Sequence, residues 1–248
     1  MAKTCSSLRL VAVPVYNEET HIDGVVKAIR ENYSGDILLI NDGSTDDSSK
    51  IIANQKGIAS LTHKKNLGYG KSLVDAFAYA GENGYHCLVT IDCDEQHEPS
   101  QIPVIFEKMG DYDIFSASRY LEDYEKNDAA PKDRYRINQI ITRNINNITG
   151  YHLTDGFCGM KGYRVEALKK FDLKESGYAF PIEFWIQAHK LGLTVGEFPI
   201  QRIYKNLDRT FGGRLDDPDN RLDYYMEVLE RELKRWQISS QSALTRTI

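Results

Sequence analysis

No apolar run in this chain approaches the roughly 20 residues that a membrane-spanning helix needs. The longest runs, Leu10 to Val15 and Ile37 to Ile40, have the length of strands, so the chain is not expected to cross a bilayer. Met1 to Arg9 is short and polar and lacks the apolar centre of a secretory signal, which makes the cytoplasm the default location. Cysteine is scarce. Cys5, Cys87, Cys93 and Cys158 are scattered with no CxxC pair, which suggests neither a zinc knuckle nor a disulfide framework. Positive charge is in deficit as well: 31 Lys and Arg stand against 36 Asp and Glu, a formal charge of -5. No broad basic field is therefore available to hold nucleic acid. The six histidines are far apart and lack metal-ligand spacing, and no GxxxxGK loop follows the first apolar run, which disfavours a nucleotidyltransferase.

What is present is an ordinary globular composition, 41% hydrophobic and 27% charged over 248 residues, enough for one sizeable α/β domain or two small ones. β-branched apolar runs alternate with amphipathic segments, the order of a βαβ sheet. Strands are predicted at Leu8 to Val15, Asp36 to Ile40, Ala59 to Thr62, His86 to Ile91 and Tyr112 to Ala117. Helical spacing runs through Ile22, Val25, Val26 and Ile29 with Thr20 as N-cap, then around Ile51 and Ile52, through Leu73, Phe77 and Ala80, and after Pro99. Residues 122–133 are charged and aperiodic and read as a loop. Tyr135 to Thr149 resumes helical spacing, Thr154 to Tyr163 reads as strand and turn, Pro181 to Leu191 as helix and Thr194 to Tyr204 as extended chain. Leu222, Tyr225, Leu229, Leu233 and Trp236 form the stripe of a last helix. The expected class is α/β, with a mostly parallel central sheet flanked by helices. Ligands of such sheets bind outside the carboxyl ends of the strands, so function should lie where strands hand over to loops.

The run Ile91-Asp92-Cys93-Asp94-Glu95-Gln96 ends one such strand. If strand geometry continues, Asp92, Asp94 and Gln96 project to one side, and two carboxylates with an amide oxygen suit Mg²⁺ or Mn²⁺ completed by phosphate and water. The competing reading is an acidic start for the helix after Pro99. Asp42, directly after Leu38-Leu39-Ile40, would be an exposed carboxylate at the rim, able to accept an N–H from a nucleobase; an Asx turn explains Ser44 to Asp46 equally well. At the end of the first strand, Tyr16 and the acids after it could flank a base or form a simple turn.

Taken in order, Val13-Pro14-Val15-Tyr16-Asn17-Glu18-Glu19, Asn41-Asp42-Gly43-Ser44-Thr45-Asp46, Asn66-Leu67-Gly68-Tyr69-Gly70 and Asp92-Cys93-Asp94-Glu95-Gln96-His97 resemble a family-2 inverting glycosyltransferase of the GT-A fold. With Gly156-Phe157, Gly177-Tyr178, Glu197-Phe198-Pro199-Ile200 and Arg209-Thr210-Phe211-Gly212, the chain is similar to the dolichyl-phosphate mannose synthase and polyprenyl-phosphate glycosyltransferase branch. The resemblance implies that Pro14, Tyr16, Glu18 and Asp42 hold the base, that Asp92 lies near ribose and metal, and that Asp94 and Gln96 are metal ligands. It implies that Arg119 meets an acceptor phosphate or the diphosphate, and that Arg209 sits on a loop closing over the donor. Arg134 and Arg136 are candidates for further phosphate contacts. The branch usually continues its late motif as Gly-x-Ser-Lys; here Gly212-Gly213-Arg214-Leu215 keeps a basic charge at Arg214 and loses the serine.

The implied reaction is inverting hexosyl transfer from GDP-mannose or a UDP-hexose, with Mg²⁺ or Mn²⁺, to a polyprenyl phosphate at the cytoplasmic membrane face. An alcohol acceptor would need a general base, for which Glu183 is the best carboxylate; an ionised phosphate needs none. Glu183 reads equally as a buried, paired structural acid. The C-terminal membrane helices that some relatives carry are missing, so a lipid acceptor calls for peripheral docking. The isoleucines and arginines of 135–149 would suit that, although a helix packing into the domain is the simpler reading. The last helix reads as core or as a homodimer contact. One domain is expected over residues 1–248, with a nucleotide-sugar half at about 8–119, an acceptor half at about 120–236 and a tail at 237–248. A soluble or saccharide acceptor, or a noncatalytic nucleotide-sugar-binding protein, are the rival readings.

Overall fold

Period-two alternation along the first strand sorts its side chains to both faces of a sheet. In a computed structural model, which describes residues 8–205, 210–238 and 244–247, β1 (Arg9–Val15) sits near the middle of seven strands. Chain order is β1, α1 (Ile22–Asn32), β2 (Asp36–Asn41), α2 (Ser48–Asn54), β3 (Ala59–Thr62), α3 (Tyr69–Glu82) and β4 (Cys87–Thr90). There follow α4 (Ile102–Lys108), β5 (Ile114–Ser118), α5 (Lys132–Thr149), β6 (Lys161–Arg164), α6 (Val165–Leu168), α7 (Phe180–Lys190), β7 (Val195–Pro199) and α8 (Pro218–Trp236). The sheet order is β3-β2-β1-β4-β6-β5-β7. β6 runs antiparallel to β4 and β5, and the other pairs are parallel, so the mostly parallel α/β sheet expected from the sequence is the one observed.

Leu10, Ala12, Leu38, Ile40 and Leu88 face a core built with α3, α5, α7 and α8, while Val11, Val13, Ile37, Leu39 and Val89 face a second core with α1 and α4. Coverage of both faces is what parallel strands require. Ile137, Ile140, Ile141 and Ile145 of α5 are buried in the first core. Each contributes about 1.5–3 kcal/mol by leaving water, so these isoleucines pack into the protein and are not available as a membrane-facing stripe. Leu222, Tyr225, Leu229 and Leu233 of α8 join the same core, which settles that stripe as core. Among the described residues no helix is long and apolar enough to cross a membrane.

Three local expectations change. α1 starts at Ile22 after His21, with no side-chain cap, because the Thr20 hydroxyl is within 3.1 Å of His21 Nδ1. β4 stops at Thr90, and a 3-10 turn over Pro99–Gln101 precedes α4. Cys87 is disulfide-bonded, so the scattered cysteines do not all stay free; Cys93 and Cys158 do, and both are buried. The sheet also places the loops that matter. From β1 the chain moves outward through β2 and β3, then returns to β4 on the other side of β1. This is a topological switch point, where loops diverge and leave a crevice.

Candidate functional site

A cavity of about 720 Å³ opens at that crevice, reaching from Pro14 near the end of β1 to Tyr225 on α8. The loops after β1 and β2 are laced together. Asn17, in the left-handed region at φ 55°, accepts the Thr45 amide on Oδ1 at 2.8 Å, while its own amide donates to Ser44 Oγ at 3.0 Å. The Glu18 amide donates to Ser48 Oγ at 3.0 Å, and the Asp47 amide to Glu19 Oε2 at 2.8 Å. This lacing holds Pro14, Tyr16 and Glu18 at the cavity wall beside Asp42. Glu18 is buried and pairs with His21 Nδ1 at 2.9 Å.

Asp42 departs from its expected exposed position at a rim: it is buried. Its Oδ1 accepts from His63 Nδ1 at 2.6 Å and from the Leu67 amide at 2.8 Å, and its Oδ2 accepts from the Gly68 amide at 2.8 Å. The Asn66-Leu67-Gly68 turn thus supplies the partners that the sequence alone did not reveal. His63 Nε2 in turn meets Asp75 Oδ2 at 2.8 Å, and Lys71 bonds Asp75.

Because β4 ends before Asp92, strand alternation does not govern the acidic run. Residues 91–97 form a turn in which Glu95 takes φ 57° and the Gln96 amide donates to Asp94 Oδ1 at 3.1 Å. The turn nonetheless brings Asp92, Asp94 and Gln96 to the cavity together, with Cys93, while Glu95 reaches Lys205 at 2.7 Å. Asp92 Oδ1 accepts from the Tyr69 hydroxyl at 3.0 Å. Burial and the Asp92 charge hold that phenol well above its ordinary pKa. His97 is buried behind the turn, with Nδ1 3.4 Å from the Asp92 amide and Nε2 3.7 Å from Cys158 Sγ. Burial works to depress its pKa, but Cys158, Asp92 and Asp94 raise it to about 9. His97 therefore supports the turn from behind and does not line the cavity.

The far wall comes from the second half of the chain. Arg119 lines the cavity and is gripped by buried Asp155 through Nε at 2.6 Å and Nη2 at 3.0 Å. Burial alone would raise the Asp155 carboxyl; Arg119 and Asn138 overcome it and hold the group well below the usual carboxylate range. Glu197 anchors the same segment by accepting from the Thr154 amide and hydroxyl, each at 2.8 Å. Arg134 and Arg221 pack against the Phe211 ring, 5.0 and 4.3 Å from its centroid, and Tyr178 meets that ring edge-on at 5.2 Å. One end of the cavity is thus rich in carboxylates, fit for a hard cation, and the other is lined by aromatic rings and arginines, of which Arg119 is paired with Asp155 and Arg221 with Asp133, and presents guanidinium N–H groups to an anion.

Several expected residues are elsewhere. Glu183 is fully buried outside the cavity, with its oxygens accepting from the Lys174 and Glu175 amides, Gln187 and Arg235. Burial pushes its carboxyl up, but it has no access to a substrate, so the structural reading of Glu183 replaces the general-base one. Arg136 turns outward to Asp219 at 3.2 Å, and Arg214 is exposed away from the cavity wall; neither is brought to the site, because the helical repeat puts Arg134, not Arg136, on the cavity side. Arg209 lies outside the described residues. Tyr69, Ser72, Tyr178 and Arg221 line the cavity without having been assigned a role. Arg221 looked like one more charge of an amphipathic helix, and only its burial at 2% exposure sets it apart.

A sequence model of glycosyl transferase family 2 matches residues 10–172. An uncharacterized protein of Methanocaldococcus jannaschii is 33% identical over 213 residues, covering 82% of this chain and 84% of that one. A UDP-N-acetylglucosamine--dolichyl-phosphate N-acetylglucosaminyltransferase of Methanococcus voltae is 26% identical over 219 residues, covering 77% and 84%. Among solved structures, glucosyl-3-phosphoglycerate synthase from Mycobacterium tuberculosis, in complex with Mn²⁺, UDP and glucosyl-3-phosphoglycerate, superposes with a TM-score of 0.67 at 18% identity, covering 94% of this chain and 81% of that one. That likeness concerns the fold, which is of the GT-A kind. The ordered acidic motifs, the switch-point cavity they line and the match over most of the chain lead to one conclusion: this protein belongs to glycosyl transferase family 2 and is a glycosyltransferase.

Proposed function

We propose that this enzyme moves a hexose from a nucleotide sugar, GDP-mannose or a UDP-hexose, to a polyprenyl phosphate. The observation that carries this reading is the meeting, in one cavity, of the Asp92-Asp94-Gln96 turn with the wall of Arg119, Arg134 and Arg221. Pro14, Tyr16, Glu18 and Asp42 would hold the base. Asp92, Asp94 and Gln96 would hold Mg²⁺ or Mn²⁺. Among the described residues no group of three or more His, Cys, Asp and Glu is arranged to hold a metal unaided. Two carboxylates and an amide oxygen still fit a hard cation that takes its remaining ligands from diphosphate and water. Gly159 supports the fit, since a Cβ there would stand 2.1 Å from Asp92 Oδ2 and fill the space that carboxylate uses.

An acceptor phosphate oxygen attacks the anomeric carbon on the face opposite the diphosphate, the sugar–diphosphate C–O bond breaks, and negative charge grows on the departing group. A bound cation would neutralise that charge. Arg119, with Asp155 fixing its guanidinium, and Arg134 and Arg221 orient the two anions. No side chain needs to take a proton, because the acceptor is already ionised; a sealed Glu183 agrees with this. In this reading residues up to about 119 handle the donor and those beyond handle the acceptor, with the chain docking peripherally at the cytoplasmic membrane face.

The test is to incubate radiolabelled donors with extracted lipids and, separately, with soluble sugars. Label should appear in the lipid phase, and Asp94→Ala should abolish the metal-dependent part. Label confined to the aqueous phase would defeat the lipid acceptor.

A further inference from the structure

Two glycine motifs, Asn66-Leu67-Gly68-Tyr69-Gly70 and Gly177-Tyr178, meet at the cavity. A Cβ on Gly68 would stand 2.2 Å from the Ser176 carbonyl oxygen, and one on Gly70 2.4 Å from the Glu175 carbonyl oxygen, so the turn and the 175–178 segment lie backbone against backbone. That segment is also fixed from behind. Glu175 Oε1 accepts from the Gly177 amide at 3.0 Å and from the Tyr224 hydroxyl, and Oε2 accepts from Arg231 at 2.9 Å. A column of contacts follows. The Tyr69 hydroxyl holds Asp92 Oδ1 at 3.0 Å, and the Tyr69 ring lies within 16° of parallel to Tyr178, 6.2 Å between centroids. Tyr178 meets Phe211 at 5.2 Å, and Phe211 packs against Arg134 and Arg221. In this order Tyr178 stands between the carboxylates and the arginines, and all of these side chains line the cavity. Of the aromatic rings lining it, Tyr16 and Tyr178 are the exposed ones among the described residues, at 44% and 38%. Tyr16 follows β1 directly, at the end read as the base site.

In a displacement at the anomeric carbon, the pyranose stays between the bond that breaks to the diphosphate and the bond that forms to the acceptor oxygen. With the diphosphate at the acidic end and the acceptor phosphate at the arginines, the sugar lies alongside Tyr178. We propose that Tyr178 is the residue against which the transferred hexose packs. A pyranose presents C–H groups on its ring faces, which the negative face of an aromatic ring attracts, while its hydroxyls stay at the rim. Glu175 and the Gly68–Gly70 turn hold the segment that carries this ring, so little ordering is needed when the sugar arrives. A sugar seated on a fixed ring keeps its anomeric carbon in line between the two phosphates. This inference rests on the reading of the cavity as a site for a nucleotide sugar and an acceptor phosphate, and goes beyond it by naming the side chain that carries the sugar.

The experiment is calorimetric titration of the full chain, with Mn²⁺ present, against GDP-mannose, UDP-glucose, GDP and UDP. Tyr178→Ala should weaken the sugar nucleotide that the wild type binds by about three- to tenfold, the size of one aromatic contact, and leave the matching nucleoside diphosphate unchanged. A ring that merely supported Tyr69 and Asp92 would, when removed, weaken the two alike. Tyr178→Phe, which keeps the ring, should recover the affinity lost in Tyr178→Ala. Tyr178→Leu, with apolar bulk but no ring, carries the test if the alanine variant does not fold. An equal loss for the sugar nucleotide and its diphosphate, no loss at all, or no recovery in Tyr178→Phe overturns the inference. A wild type that binds neither sugar nucleotide sinks the nucleotide-sugar reading itself, a result distinct from the others because they are read only on a protein that binds one.

Discussion

Gly159, between Cys158 and β6, offers a sharp perturbation of the acidic turn from outside it. A Cβ at this position would stand 2.1 Å from Asp92 Oδ2, 2.5 Å from Oδ1 and 2.6 Å from Cγ. Ordinary contact begins near 3.4 Å, so in Gly159→Ala the carboxylate has to retreat by more than an ångström. The backbone cannot give way instead, since the Gly159 carbonyl is held by Thr90 Oγ1 at 2.8 Å inside the core. Nor is alanine strained there, because Gly159 is not among the residues at positive φ. The displaced carboxylate loses the Tyr69 hydroxyl, now at 3.0 Å. It is also carried away from the ligand it would hold, and a charged hydrogen bond to a ligand is worth about 1.5–3 kcal/mol, which corresponds to about 10- to 150-fold in affinity. Titration of Gly159→Ala with UDP and Mn²⁺ should show a loss in that range, with Tm lowered by roughly 3–12 °C through the lost Tyr69 bond. Combined with Asp92→Ala, the substitution should add little, as two changes to one interaction do not sum. A folded Gly159→Ala protein with wild-type affinity would refute the placement of Asp92 in the binding site.

Asp155→Asn leaves Arg119 without its buried counter-charge, at a cost of about 3–5 kcal/mol, or roughly 6–20 °C in Tm. Because the Asp155 carboxyl is depressed from 3.8, its contribution is complete above that value and is lost as pH falls through the lower folded-state one. The Tm gap between wild type and variant should therefore stay constant from about pH 5 to 8 and shrink only in stronger acid; a gap that widens on acidification contradicts the pairing. Glu183→Gln should lower Tm by several degrees through about 3 kcal/mol of lost pairing with Arg235, yet keep turnover per folded molecule within about twofold, whereas a collapse of kcat at unchanged Tm would restore its role as a base. Arg134→Ala should raise the acceptor KM about tenfold, as expected for a charged hydrogen bond, while Arg136→Ala leaves it unchanged; equal effects in steady-state assays would show that helix orientation was misjudged.

The strands at Arg9–Val15, Asp36–Asn41 and Cys87–Thr90 were legible because β-branched runs bounded by acidic turns have few alternatives. The acidic clusters after them were legible for the same reason, and a switch point gathers such loops in any sheet of this order. Other features were not. Asp92 and Asp94 reach the cavity through a turn with Glu95 at positive φ, where alternation says nothing about direction. α7 is buried from Phe180 to Ala188, so it has no polar face from which to read that Glu183 points inward. Asp155 meets Arg119 across 36 residues, beyond the range of any local pattern.

What the sequence determined by itself was the order of elements, the α/β class and the set of acids and arginines from which a site could be built. These follow from short-range preferences: periodicity, turn chemistry and charge read along a few residues. Only the tertiary structure decided which charges face the cavity and which are spent on one another. It set Asp42 against His63 and Arg119 against Asp155, sealed Glu183 with Arg235, and left Ser72 without a partner. The physical reason is that long-range packing decides which groups come within about 3 Å of a charged side chain, and desolvation makes pairing obligatory once that side chain is buried.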